Sequence, residues 1–176
     1  LHIRERPTKP WDELALDILG PINCNGHDLY ILVLVAMFSR WPEIKITSST
    51  ETSKVVGFLQ SLFSREGLPG SILTDNGVQF TSKEMGRFLE ELGIKHKHTS
   101  LYHPEGNGLV ERFNRVLKES IKLAKNNGLC WRKEVENKVR VYRFTPHSST
   151  GRTPFELLRG HAPCTEVSPM WVRRLV

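Results

Sequence analysis

The segment Leu29–Phe38 reads LYILVLVAMF, a nearly continuous apolar run rich in Val, Ile and Leu. A run of that kind is typical of a strand buried on both faces, so the sheet that holds it needs cover on either side. The run is too short for the roughly 18–20 apolar residues of a membrane span, and no other window comes closer. Around it the pattern is strands first, then alternating helices and strands. Trp11–Ile18 alternates through Leu14, Leu16 and Ile18 and is ended by Gly20-Pro21, which predicts a strand. After a turn at Ser39-Arg40, Pro42–Thr47 reads as a hairpin partner of the buried run.

Thr50–Arg65 carries Val55, Val56, Leu59, Leu62 and Phe63 at helical spacing, with Gly67 beyond its end. Ser71–Thr74 is a short strand stopped by Asn76-Gly77. Ser82–Leu92 is a helix closed by Gly93, and Ile94–His98 a further strand. Tyr102–Gly108 is a loop. Val110, Phe113, Leu117, Ile121 and Ala124 then mark one face of a long helix ending near Gly128, and Trp131, Val135, Val139 and Tyr142 mark another. Pro146–Thr153 is loop-like, and Pro154–Leu158 a short terminal helix. The plan is mixed α/β, expected as one domain over residues 1–176.

Composition narrows the function classes. At 39% hydrophobic and 25% charged residues the chain is an ordinary globular protein, which excludes a disordered one. Cys24, Cys130 and Cys164 are far apart and lack C-x-x-C spacing. That rules out a cysteine zinc knuckle, argues against a disulfide framework and fits a reducing compartment. No charged segment followed by an apolar one marks a secretory signal, and a start at Leu1 suggests a piece of something longer. The net charge of +6 leans toward a polyanionic partner without fixing one.

Three acids carry the chemistry. Asp17 sits among Leu14, Leu16 and Ile18, where a carboxylate costs free energy unless compensated, or else lies on the strand's solvent face. Asp75 follows a strand, and ligands gather at the carboxyl ends of strands in open α/β sheets; Asp-Asn-Gly is equally an ordinary turn. Glu111 lies in the first turn of the long helix, where an acid also complements the macrodipole. Taken together, three such carboxylates can hold two divalent cations. Mg²⁺ prefers hard oxygen ligands, and two ions roughly 3.5–4 Å apart can activate one oxygen and stabilise another in phosphoryl displacement. No G-x-x-x-x-G-K-[ST] loop suggests a nucleoside triphosphatase instead.

Thirty-five residues separate Asp75 from Glu111. With acids at 19 of 176 positions the spacing alone says little, and the text around it says more. WDELALDILGP, ILVLVAMFSRWPEI, GLPGSILTDNGVQFTS, YHPEGNGLVERFNRVLKE and TPHSSTGRTPFELLRG resemble, in order, the successive blocks of retroviral and retrotransposon integrase cores. The last block resembles most the Ty3/gypsy class, or a host gene derived from it. The resemblance spans about Trp11 to Gly160. It implies a ribonuclease-H-like fold, a five-stranded mixed sheet flanked by helices, with Asp17, Asp75 and Glu111 as catalytic residues binding two Mg²⁺ (or Mn²⁺) ions. It also implies 3′-end processing and strand transfer of element DNA into target DNA. Double-stranded DNA partners, a homodimer or higher homo-oligomer, and work in the nucleus, or in a cytoplasmic complex before integration, follow from the same likeness. The zinc-binding N-terminal domain and C-terminal barrel of complete integrases are missing from this sequence.

Arg115, Lys118 and Lys122 lie four, seven and eleven residues beyond Glu111 and share its helix face. They would put cations where DNA phosphates lie, unless they form only a solvated face. Arg112 and Asn114 are further candidates for phosphate contact or orientation, although Asn114 also suits a buried, structural role. Tyr102, in the loop, is a candidate for stacking on a base or supporting DNA ends. His96, His98 and His103 read as surface or phosphate-adjacent residues rather than a metal set. The Trp131 helix reads as core first and dimer surface second. Two departures stand out: Ala36 where Ty3/gypsy relatives commonly carry Asp, and Leu109 where they often carry Gln. They leave open a second expectation, a domesticated module that binds DNA or dimerises without catalysis. A ribonuclease H or resolvase on the same fold fits the blocks around Asp75 and Glu111 less well.

Overall fold

The computed structural model describes residues 7–99 and 108–164. Five strands form one sheet: β1 Glu13–Cys24, β2 His27–Ala36, β3 Pro42–Thr47, β4 Ser71–Thr74 and β5 Lys95–His98, in the order β3-β2-β1-β4-β5. β1, β2 and β3 are antiparallel neighbours, while β4 runs parallel to both β1 and β5. The helices are α1 Thr52–Glu66, α2 Val78–Thr81, α3 Lys83–Glu91, α4 Gly108–Asn126, α5 Trp131–Phe144 and α6 Pro154–Arg159.

The apolar run does what its composition predicts. Alternate residues of β2 enter two separate cores: Leu32, Leu34 and Ala36 join Leu59, Leu62 and Leu89, whereas Ile31, Val33 and Val35 join Phe113, Leu117 and Val135. The sheet is thus covered by α1 and α3 on one face and by α4 and α5 on the other. The period of two in a strand assigns β1 in the same way, with Leu14 and Leu16 toward the first core and Ala15 and Leu19 toward the second. Asp17 shares the parity of Ala15 and Leu19, so it belongs to the α4 face.

Strand β1 is longer than the pattern predicts. Gly20-Pro21 does not end it; the pairing with β2 shifts register between Leu19 and Ile22 and then resumes to Cys24. Proline is tolerated there because β4 pairs β1 only at Glu13, Leu14 and Ala15, which leaves the far edge beyond without a ladder to break. Gly20 is required: at φ 146°, an added Cβ would stand 2.7 Å from the Tyr30 ring and 3.0 Å from the Leu29 carbonyl.

Helix α2 escapes a reading by periodicity because it is a single turn with one buried side chain, Phe80, and an exposed Val78. Ser82, expected inside a helix, is the N-cap of α3, its hydroxyl accepting the Met85 amide at 3.2 Å. The short terminal helix is fixed by a reciprocal cap between Thr153 and Glu156 and stops at Gly160 in the left-handed region, φ 77°. Arg143 of α5 ties the helical layer to β3: its guanidinium donates to the Pro42 carbonyl at 2.7 and 3.1 Å, pairs with Glu43 at 3.1 Å and lies 4.3 Å from the Trp41 ring centroid. Cys24, Cys130 and Cys164 are all free. Among the described residues no helix is long and apolar enough to cross a membrane.

Candidate active site

Register places the first two acids. Ala15 of β1 lies opposite Leu73 of β4 in the parallel pair, and Asp17 and Asp75 each follow two residues later. Helix α4 brings the third. Its buried positions Val110, Phe113, Leu117, Ile121 and Ala124 seat it on the sheet, and Glu111 is left exposed in the first turn.

Both oxygens of Asp17 are engaged. Oδ1 accepts the Ile18 amide at 2.8 Å, and Oδ2 accepts the Asn114 side-chain amide at 2.7 Å. Burial raises the Asp17 carboxyl above its usual range, the Ile18 amide opposes this, and the negative charges of Asp75 and Glu111 raise it further. Among the described residues, the two charged groups that shift Asp17 are both acids. Asp75 adopts the turn expected of Asp-Asn-Gly, its Oδ1 accepting the Gly77 amide at 2.9 Å. A Cβ at Gly77 would stand 2.5 Å from Gln79 Nε2, which would have to swing aside, and 3.0 Å from that same Oδ1.

The three acids thus lie within electrostatic reach, yet no group of three or more His, Cys, Asp or Glu among the described residues is close enough to hold a metal. As a donor set they suit a hard divalent cation, because they offer only oxygen and an uncompensated excess of negative charge.

The basic residues separate into two kinds. Arg112, Arg115, Lys118 and Lys122 are exposed on α4. Asn114 is 7% exposed and turned inward to Asp17, which makes it an orienting residue for that carboxylate. Tyr102 and His103 lie outside the described residues.

Beside Asp75, His96 is half-buried and its ring packs 4.1 Å from that of His98. The Thr74 hydroxyl donates to the Asp75 carbonyl at 2.9 Å and meets His96 Nε2 at 2.9 Å, so the ring nitrogen is the donor in that second contact. Burial, then His98, pushes His96 down from 6.5 to about 4. Above pH 6.5 the ring is neutral folded or unfolded and contributes no pH dependence. As pH falls from 6.5 to about 4 the unfolded chain takes up the proton first, so stability is lost across that window and no further below it. The urea midpoint is expected to fall between pH 7 and pH 4.5, and to fall less in His96→Gln measured in parallel.

Comparison with known proteins gives a consistent result. The sequence model described as the integrase core domain matches residues 7–104. The chain is 36% identical over 166 residues to the Gag-Pol polyprotein of avian reticuloendotheliosis virus, covering 93% of this chain and 14% of that protein. It is 35% identical over 164 residues to an uncharacterized protein of Caenorhabditis elegans, covering 92% of this chain and 12% of the other. The chain therefore spans only about an eighth of the length of the curated relatives it matches. Among solved structures, a chain of the simian T-cell lymphotropic virus intasome superposes with a TM-score of 0.77 at 24% identity, over 94% of this chain and 61% of that one. The HTLV-2 integrase catalytic core in complex with magnesium superposes with a TM-score of 0.71 at 21% identity, over 86% and 99%.

Proposed function

The chain belongs to the integrase core domain family, and on that premise we propose that it is the catalytic core of a metal-dependent polynucleotidyl transferase. Its five-stranded mixed sheet flanked by helices is the ribonuclease-H-like fold of integrase catalytic cores. One observation supports the reading: Asp17 on β1 lies within electrostatic reach of both Asp75, at the end of β4, and Glu111, in the first turn of α4.

In this reading Asp17, Asp75 and Glu111 hold two Mg²⁺ or Mn²⁺ ions, and residues 1–176 form one catalytic domain. Bound there, divalent cations supply the charge that activates the attacking oxygen and stabilises the departing one. The protein's own groups do the rest. Asn114 fixes the rotamer of Asp17 through its 2.7 Å bond, and the Gly77 amide fixes Asp75. Arg112, Arg115, Lys118 and Lys122 neutralise phosphates along α4 and position the strand without reading its sequence. The reactions proposed are trimming of a DNA 3′ end and attack of the resulting 3′-hydroxyl on a target phosphodiester. The partners are duplex DNA and further copies of the chain, and the place of work is the nucleus.

The test is disintegration of a branched DNA substrate by the purified chain. Product is expected with Mg²⁺ or Mn²⁺ and none in EDTA. A protein that binds duplex DNA yet is inert with both metals would sink the catalytic reading and favour the non-catalytic module.

A further inference from the structure

Away from the acids, a second group of polar side chains gathers where the β2–β3 turn, the start of α4 and the end of α5 meet. Arg40 stands in that turn at φ 61°, a left-handed conformation that is strained for a residue other than glycine. The turn is closed by the Arg40 amide on the Ala36 carbonyl at 2.8 Å and the Ala36 amide on the Trp41 carbonyl at 2.9 Å. The backbone is thus held so that a guanidinium, rather than a glycine, occupies the position. Arg40 Nε is nevertheless buried without a hydrogen-bond partner, and so is Nε2 of His147.

Tyr142 of α5 links the two. Its ring meets Phe113 edge-on at 4.7 Å and His147 at 4.3 Å, and its hydroxyl feels the charges of Arg40 and Arg112. His147 is anchored by its backbone, its carbonyl accepting the Gly151 amide at 2.7 Å and its amide donating to the Arg152 carbonyl at 3.1 Å. Burial, then Arg40, pushes its imidazole down, and a hydrogen bond from the ring to the Tyr142 backbone opposes this. Among the described residues, every charged side chain acting on Tyr142 and His147 is an arginine. The Arg40 Nε donor is costly to bury unless an acceptor completes it, and His147 Nε2 becomes a second donor only when the imidazole takes up a proton, which a nearby anion favours.

We propose that Arg40, Arg112, Tyr142 and His147 form an anion site that clamps a backbone phosphate of the nucleic-acid strand, away from the phosphodiester that reacts. This rests on the reading of the three acids as a nucleic-acid site. Arg112 directly follows Glu111 in the first turn of α4, so the clamp begins where the acids end. The chemistry suits a phosphate: guanidinium groups offer planar, charge-assisted donors, and the phenol hydroxyl adds another. A bound anion also favours the imidazolium, both of whose nitrogens donate. The sequence offers little sign of this site, because its members lie up to about a hundred residues apart and only the fold gathers them.

The experiment is binding of a labelled DNA duplex by fluorescence anisotropy, in EDTA and across a salt series, so that no chemistry is needed. Arg40→Asn removes the charge with a residue that tolerates the left-handed region. It is expected to weaken binding about tenfold and to reduce the slope of log affinity against log salt by about one, the loss of a single phosphate contact. His147→Gln is expected to weaken binding in the same direction. Unchanged affinity and slope in both variants, each with wild-type circular dichroism, would overturn the proposal. So would a His147 resonance that moves with inorganic phosphate while the DNA slope stays fixed, since the site would then serve a small free anion. If Arg40→Asn lowers the slope while the wild-type protein disintegrates no branched DNA with Mg²⁺ or Mn²⁺, the clamp stands and the catalytic reading fails.

Discussion

Glu111→Gln is expected to lower metal-dependent disintegration of branched DNA by at least about a hundredfold. A metal-bridged carboxylate supports several kcal/mol of transition-state charge, and each 1.36 kcal/mol is about a factor of ten in rate. Glutamine keeps the length and shape of the side chain and removes the charge that would hold the cation. Little stability goes with it. Glu111 is exposed in the first turn of α4, where its interaction with the helix dipole contributes about 0.3–1 kcal/mol. Removing it also relieves Asp17 of one of the two negative charges that raise its carboxyl, so Asp17 should titrate lower in the metal-free variant. Single-turnover disintegration assays, with an NMR titration of Asp17, check both halves. A variant with near-wild-type rates would show that Glu111 lies outside the reaction.

Phe113→Ala is expected to cost about 3–5 kcal/mol, the largest stability loss named here. The ring is 1% exposed, lies in the core between the sheet and helices α4 and α5, and meets Tyr142 edge-on at 4.7 Å. Truncation removes the transfer free energy of the ring, leaves a cavity and forfeits an aromatic pair contributing about 0.5–1.5 kcal/mol more. Against a total of about 5–15 kcal/mol for a domain, that is enough to bring the protein near its threshold. A chain of this size should melt on the order of 10 °C lower. Phe113→Leu, which keeps most of the volume, should lose much less. Calorimetry on the three proteins decides, and a loss under about 1 kcal/mol for alanine would mean that α4 is not seated as described. Because α4 carries both Glu111 and Asn114, activity should fade on warming earlier in the alanine variant.

The sheet was legible wherever burial on two faces or strict alternation wrote itself into the residues. Pro42–Thr47 and Ser71–Thr74 are strands over the bounds their patterns predict. The pattern misled where local chemistry and tertiary context disagree. Gly20-Pro21 looks like a stop, but a strand whose far edge is unpaired can carry a proline through. Ala36 ends β2 earlier than the apolar run because the chain turns there, the Arg40 amide donating back to the Ala36 carbonyl. At the candidate site, the spacing and the flanking text pointed to three acids, and the fold places Asp17 within electrostatic reach of the other two. Asn114 could be read as either a phosphate contact or a buried support, and only the packing of α4 on β1 selects the second. Arg40, Tyr142 and His147 bear no mutual spacing at all, and their meeting is a product of topology.

The parallel register of Ala15 with Leu73 has a consequence for how such a chain can change over time. Strand side chains alternate, so inserting or deleting one residue between Ala15 and Asp17, or between Leu73 and Asp75, would send one acid to the opposite face of the sheet. The hydrophobic layers could re-form around such a slip more readily than the acids could meet again. The Asn25-Gly26 turn, far from both, carries no such indexing. Length is therefore under tighter constraint than composition along two very short stretches of chain, and tolerance to indels should map the site as sharply as tolerance to substitution.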